Sequence, residues 1–361
     1  MTIACDRCLA RGWLLATLAG HLDPVRSRID ELLALDDHEL IDAVGGKAAS
    51  KLKSTLGDFD AGPLRESVER AGLETICRCD PAFPGGLAAL PRPPSALYVA
   101  GGRDRCLALI REDPVAIVGS RRPSPYGLDV ARSLGRGIAC SGVTVLSGMA
   151  TGIDAAAHEG ALAVGGPTLA VLPGPPQRPY PASKRSLHGR ILEAGAAISE
   201  LPPGAEVRRW MFPARNRIIA ALGSMTVVVE AGRRSGALLT AAWARRLGRL
   251  LGAVPGRVTS PQSAGPNALL ACGAELIRDA QDALDAVFGA GVRRAGADSR
   301  AELEGDEAEL LTAIASGHDT MEALTRAGLE PERALVTLAA LELEGYIRRG
   351  PGGRFAVLPG V

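Results

Sequence analysis

Residues 114–158 read Pro114-Val-Ala-Ile-Val118, Gly119-Ser-Arg-Arg122, a helical run to Ala139, Val143-Thr-Val-Leu146, Ser147-Gly-Met-Ala-Thr-Gly-Ile-Asp154, and three alanines before His158. This is strand, glycine turn, helix, strand, glycine turn, helix. Four consecutive apolar residues between turn signals describe a strand buried on both faces. Two such strands joined through a helix must run parallel. In open parallel sheets, ligands bind beyond the carboxyl ends of the strands. Both glycine turns lie there. Backbone N–H groups at Gly119-Ser120 and Ser147-Gly148 are expected to face an anion, helped by the helix N-termini that follow. Arg121 and Arg122 add positive charge at the same edge.

The anion is not announced by a nucleotide fingerprint. No G-x-G-x-x-G follows Val118, and Gly46-Lys47 is followed by Ala48, so no P-loop exists either. Working outward, Thr168–Leu172, Ala196–Ser199, Met225–Val229, Leu250–Val254 and Leu276-Ile277 read as further strands with helices between them. Alternation of this kind predicts a doubly wound α/β domain over 76–288. The proline-dense segment 76–113 reads as loops, with Leu97-Tyr98-Val99 adding a strand at one edge of the sheet.

Residues 1–75 read as a separate small helical domain. Within it, Leu40 to Leu56 resembles a helix–turn–helix hinged at Gly45-Gly46. Residues 289–305, rich in Gly, Ala and charge, read as a linker. From 306 to 361, three short helices precede two strands about Gly350-Pro-Gly-Gly353, which predicts a winged helix. Leu310, Leu311, Ile314, Leu324, Leu335, Leu338 and Leu341 are its expected core.

At 361 residues the chain has room for two or three domains. Aromatics make up only 3% of it, so the core is expected to be aliphatic and base-stacking side chains are scarce. The formal net charge is +1, but it is unevenly spread. Val207 to Arg257 holds ten arginines and one acid, which suggests a polyanionic partner. Asp298 to Glu344 holds twelve acids and three arginines, which argues against strong DNA binding by the winged helix and for a protein contact or a regulatory role. Seven cysteines at irregular spacing do not form a disulfide framework. Cys5-x-x-Cys8 with Cys77 and Cys79 would suffice for a zinc site, but reduced thiols in a cytoplasmic chain are the simpler expectation, with no metal or cofactor. The sequence shows no signal-peptide pattern and no apolar run of about 18 residues, so no membrane association is expected.

Several of these stretches resemble the DNA-processing DprA (Smf) family. They are Val115 to Arg121 with Tyr126-Gly127, Ser147 to Asp154 with Ala157-His158, Tyr180-Pro181, and Ser199-Glu200. Phe212-Pro-Ala-Arg-Asn-Arg217, Glu230-Ala231, Arg234-Ser-Gly236 with Thr240-Ala241, and Ala253-Val-Pro-Gly256 follow in the same order. The resemblance spans about residues 76–285 and implies a Rossmann-like core. It also implies a non-enzymatic, dimeric protein that binds incoming single-stranded DNA in natural transformation, protects it and loads the RecA recombinase. It carries a DNA pocket onto Ser120, Arg121, Ser147, Gly148, Lys184, Arg215, Asn216, Arg217, Ser235 and Gly236, beside which Arg122 is a further candidate.

Each of these residues also has a plain structural reading. Arg215 and Arg217 could pair with Glu200 or Glu230, Asn216 could bracket backbone, and Lys184 could be merely solvated. Asp154 and His158 share a helix face, and Glu230 ends a strand, yet no nucleophile accompanies them. Tyr126, Tyr180, Trp210 and Phe212 are the nearby stacking candidates, so electrostatics should outweigh stacking. A phosphoribohydrolase would be similar to P-G-G-x-G-T-x-x-E; here Ser235 to Thr240 stands in that place and Trp243 replaces the acid. A nucleotide-sensing module could use the same pocket.

The acidic winged helix generates a test. A chain ending at Gly289 should keep single-stranded DNA affinity within about tenfold, or ~1.4 kcal/mol, by fluorescence anisotropy. A larger loss would place the winged helix in the DNA interface.

Overall fold

The computed structural model describes residues 4–295 and 303–358. Nine strands form one sheet: β1 Glu74–Cys77, β2 Ala96–Ala100, β3 Val115–Val118, β4 Val145–Ser147, β5 Thr168–Val171, β6 Ala196–Ser199, β7 Met225–Val228, β8 Leu250–Ala253 and β9 Glu275–Leu276. Their order is β1-β2-β6-β5-β4-β3-β7-β8-β9. From β6 to β9 every neighbouring pair is parallel; β2 is antiparallel to both β6 and β1.

The largely apolar strands β3 to β7 are buried on both faces, as their composition requires. Along β3, Val115 and Ile117 face one layer of helices while Ala116 and Val118 face the other. The first layer includes the helices Pro125–Cys140, Ile153–Ala163 and Ala280–Phe288; the second includes Arg103–Arg111, Met211–Leu222 and Ala237–Arg246. The helix Pro125–Cys140 starts on a Ser124 cap that accepts from the Gly127 N–H, with Pro125 in the first turn. It lies so close to the helix Ile153–Ala163 that a Cβ on Gly135 or Gly160 would collide with a backbone carbonyl of the other helix.

Several expectations change here. Leu97-Tyr98-Val99 is not at the edge, because β1 covers its outer side. The strand Glu74-Thr-Ile-Cys77 is short and runs straight into the proline-dense segment, so no pattern of its own marks it. Nor is 75/76 a boundary in packing. The chain divides into two compact units, Met1–Ala295 and Gly296–Val361, so the N-terminal helices belong with the sheet. Leu14, Leu18, Leu22, Ile29, Leu32, Leu40 and Ile41 share one core with Leu201, Trp210, Met211 and Ala214. Trp210 is 1% exposed, and its indole N–H donates to the Ala19 carbonyl at 3.1 Å. It is a core anchor, and the expectation that it could stack on a base does not hold.

The second unit is a winged helix. Gly305–Ala315, Met321–Arg326 and Pro331–Leu343 pack with the antiparallel strands β10 Ile347–Arg349 and β11 Phe355–Val357. Leu310, Ile314, Leu324, Leu338, Leu341, Tyr346, Ile347 and Phe355 fill its core. Leu335 is exposed, since the buried stripe of its helix runs through Ala334, Leu338 and Leu341. The expected linker 289–305 lies partly outside the described residues. Among the described residues, no helix is long and apolar enough to cross a membrane.

The shared core makes a stability prediction. Trp210→Ala should cost about 3–5 kcal/mol in urea unfolding, the usual range for a buried aromatic truncated to alanine. Independent N-terminal helices would instead confine the loss to a separate early transition.

Candidate functional site

The order of the strands reverses beside β3. The chain lays β4, β5 and β6 outward on one side, then returns to place β7, β8 and β9 on the other. The carboxyl ends of β3 and β7 therefore diverge into the crevice where such sheets bind ligands. An open cleft of about 990 Å³ lies there. Its walls are the turn after β3, the segment 232–240 after β7, the first turns of the helix Met211–Leu222, and residues 24–30 of the N-terminal region. Arg26, Arg121, Arg122, Arg209, Arg215 and Arg234 line it, against Asp30 and Asp154.

In the turn after β3, the backbone N–H groups expected to greet the anion are already engaged. The Asp154 carboxylate accepts from the Gly119 and Ala150 N–H groups. The Ser120 N–H donates to the Glu230 carbonyl at 2.6 Å, and the Ser120 hydroxyl oxygen accepts from the Arg122 N–H. Ser147 is fully buried, with its hydroxyl donating to the Ile117 carbonyl at 2.6 Å. It ties β4 to β3 and faces no ligand. The Gly148 carbonyl accepts from Arg215. The turns thus shape the cleft, while the exposed charge comes from side chains.

Arg215 and Arg217 are also brackets. Arg215 is 6% exposed and donates through one terminal nitrogen to the carbonyls of Gly148 and Val171, each at 2.6 Å. Burial lowers its pKa to about 10, against the pull of Asp154 and with a further push from Arg121, so it stays charged at neutral pH. Burial raises the Asp154 carboxyl above its ordinary value, opposed by Arg215 and the two N–H groups. Arg217 is buried and paired with Glu200. Asn216 does bracket backbone, donating to the Gly236 carbonyl at 3.2 Å. Lys184 is paired with Glu159 at 3.2 Å and stands away from the cleft lining. Ser235 and Gly236 do line the cleft, at the N-terminus of the helix Ala237–Arg246.

The residues weighed for acid–base work have structural partners too. Glu230 accepts from the Ser124 N–H at 2.8 Å and from the Ser124 hydroxyl at 2.6 Å, anchoring the cap of the helix Pro125–Cys140. His158 is fully buried with Nδ1 2.7 Å from the Thr168 hydroxyl. Burial and nearby Arg215 push its pKa down to about 3, so it is neutral near pH 7.

What remains exposed in the cleft is a small set. Arg121 lies over the Phe212 ring, 4.7 Å from its centroid, and Tyr180 packs against the same ring at 5.3 Å and 59°. An adjoining recess of about 140 Å³ is bounded by Arg121, Thr151, Tyr180, Phe212 and Arg215. Arg26, Arg209 and Arg234 complete the cationic rim. Arg209 and Arg234 lie inside the basic stretch, which was a signal for them. Arg26 had none, because only the packing of the N-terminal core carries it to the cleft. Tyr126 stands outside the lining and donates to the Pro255 carbonyl at 3.3 Å.

The model of the family "DNA recombination-mediator protein A" matches residues 74–288, and that of the "DprA winged helix domain" matches 294–353. The chain is 38% identical over 371 residues to the "Putative DNA processing protein DprA" of Mycobacterium tuberculosis, covering 98% of this chain and 87% of the relative. It is 35% identical over 211 residues to the DNA processing protein DprA of Bacillus subtilis, covering 58% of this chain and 70% of that one. The crystal structure of DNA processing protein A from Streptococcus pneumoniae superposes with a TM-score of 0.63 at 28% identity, covering 78% of this chain and 98% of that one. The structure of DNA processing protein A from Helicobacter pylori, reported with a unique single-stranded DNA binding mode, gives 0.51 at 30% identity, covering 59% and 94%.

Bracket and rim arginines should separate on mutation. Arg215→Ala leaves two buried carbonyls and the Asp154 carboxylate without their cation, and should cost at least about 2–3 kcal/mol of stability. Arg121→Ala removes an exposed side chain and should stay within about 0.5 kcal/mol. Thermal unfolding of the two variants checks this.

Proposed function

The chain belongs to the DNA recombination-mediator (DprA/Smf) family, and from that premise we propose that its cleft grips single-stranded DNA by the backbone, without catalysis. The observation that carries this reading is the exposed Arg121, set over the Phe212 ring that Tyr180 flanks at the switch point, and ringed by Arg26, Arg209 and Arg234. A guanidinium on the cleft rim can hold a phosphate with two parallel hydrogen bonds. The adjoining aromatic pair offers a face on which one unpaired base can stack, and every base has such a face. Phosphate contacts and stacking carry no sequence information, so binding is indifferent to sequence.

The finer role follows from the family and stands as part of the proposal: shielding incoming strands, handing them to the RecA recombinase during natural transformation, and acting as a homodimer. The exposed apolar residues Leu250 and Leu276, near the β9 edge of the sheet, support self-association. Light scattering at tens of micromolar should show a dimer. The structural partners of Asp154, His158 and Glu230 support a binding role over a hydrolytic one.

The decisive measurement is binding of single- and double-stranded oligonucleotides of equal length across a salt series. Single strands should bind more tightly, with log affinity falling by about 0.7 per neutralised phosphate for each unit of log salt. Arg121→Ala should weaken single-strand binding by about 1.5–3 kcal/mol, the range for hydrogen bonds to charged groups, and Arg121→Lys should recover only part of it. Unchanged binding by folded Arg121→Ala would remove the cleft as the DNA site. Saturable micromolar binding of a mononucleotide in its place would mark the cleft as a nucleotide sensor.

A further inference from the structure

The fold brings together four cysteines that the sequence holds in two distant pairs. The Sγ atoms of Cys5, Cys8, Cys77 and Cys79 all lie within 4.8 Å of one another. Cys5 is 3.6 Å from Cys77 and 3.9 Å from Cys79, and Cys8 is 3.8 Å from Cys79. A tetrahedral zinc ion with Zn–S bonds of about 2.3 Å requires sulphur–sulphur edges of about 3.8 Å. A disulfide requires about 2.05 Å, and all four thiols are free. We propose that Cys5, Cys8, Cys77 and Cys79 form a structural zinc site that fastens the N-terminal helix to the edge strand of the sheet.

The local backbone suits that task. Cys5 precedes the helix Asp6–Thr17 and Cys8 lies in its first turn, where the Cys8 N–H donates to the Cys5 carbonyl at 3.0 Å. Cys77 ends β1 and Cys79 sits in the following turn, closed by the Asp80 N–H on the Cys77 carbonyl at 2.9 Å. Each pair thus stands on a hydrogen-bonded turn that presents both sulphurs to one side. The Ala4 N–H donates to the Thr75 hydroxyl at 3.0 Å and holds the two turns in register. Cys8 and Cys77 are buried, while Cys5 and Cys79 are exposed, so the cluster has a closed base and an entry path.

A nearby cation suits the site as well. Four thiols that take up one Zn²⁺ release four protons, and the resulting tetrathiolate centre carries a charge of −2. The Arg7 guanidinium, 3.8 Å from the Cys79 sulphur, is placed to donate to a thiolate and offset that charge. Four ligands from the protein close the shell and leave no open position, which is the pattern of a structural site and not of a catalytic one. None of the four cysteines lines the cleft, so the proposal stands apart from the DNA-binding reading.

The test uses the full chain, purified under reducing conditions. Elemental analysis should find about one zinc per chain. Exchange with Co²⁺ should produce the sulphur-to-cobalt charge-transfer band and the visible bands of a tetrahedral thiolate centre. Cys8→Ser and Cys77→Ser should each lose stoichiometric metal, while Cys140→Ser and Cys272→Ser, away from the cluster, should retain it. Chelation should lower the melting temperature of the parent chain and leave that of folded Cys77→Ser unchanged. If the cluster variants fail to fold, the cobalt spectrum of the parent chain decides. A parent chain that takes up neither metal while its thiols react freely overturns the proposal. So does one in which Cys5, Cys8, Cys77 and Cys79 are joined as disulfides.

Discussion

The cleft depends on one buried cation. Arg215, on the helix Met211–Leu222, donates to the carbonyls of Gly148 and Val171 and so holds the carboxyl ends of β4 and β5 against that helix. Asp154, beside it, gathers the Gly119 and Ala150 N–H groups and fastens the turn after β3. A guanidinium without its carboxylate, or the reverse, would leave an uncompensated charge in the interior. The pair explains a sequence feature as well. Gly148 has no room for a Cβ, because the Arg215 guanidinium fills that space. A glycine that looks like a phosphate cradle is there to admit an arginine of the same chain.

That arrangement changes the meaning of the basic middle of the chain. Of the arginines between Val207 and Arg257, Arg215 and Arg217 are buried in brackets. Arg245 and Arg249 donate to the carbonyls of Cys272 and Ala221, and Arg246 lies over Trp243. Arg209 and Arg234 reach the cleft. Local charge density therefore overstates the size of the cationic patch. The patch is made by a few arginines from four separate parts of the chain, and its sign survives because only Asp30 and Asp154 stand against them.

The N-terminal helices contribute more than a cap. Their leucines enclose Trp210 and Met211, immediately before the helix that carries Arg215. The same packing delivers Arg26 to the cleft rim. At the far end of this region, the cysteine cluster lies between the first helix and β1. The N-terminal region is tied down beside the cleft, where the Trp210 indole donates to the Ala19 carbonyl, and at β1, where the Ala4 N–H donates to the Thr75 hydroxyl.

Much of the fold was legible because buried parallel strands leave an unmistakable trace. Val115–Val118, Ala196–Ser199 and Met225–Val229 are short apolar runs between turn residues, and the order of such runs with helices between them determines a doubly wound sheet. The exposed Arg121, following its strand and turn, was legible for the same reason. The sequence could not say which polar side chains face inward. Ser147, Arg215 and Arg217 are as hydrophilic as any ligand-binding residue, yet each is buried because a carbonyl or carboxylate distant in the chain waits for it. Hydrogen-bond partners 17 to 67 residues away leave no local pattern. The four sulphurs were equally undecided, since only the pairing of β1 with β2 and the docking of the first helix bring residues 72 positions apart into contact. Periodicity reports which face of an element is apolar; which distant element satisfies a buried polar group is decided by the packed chain alone.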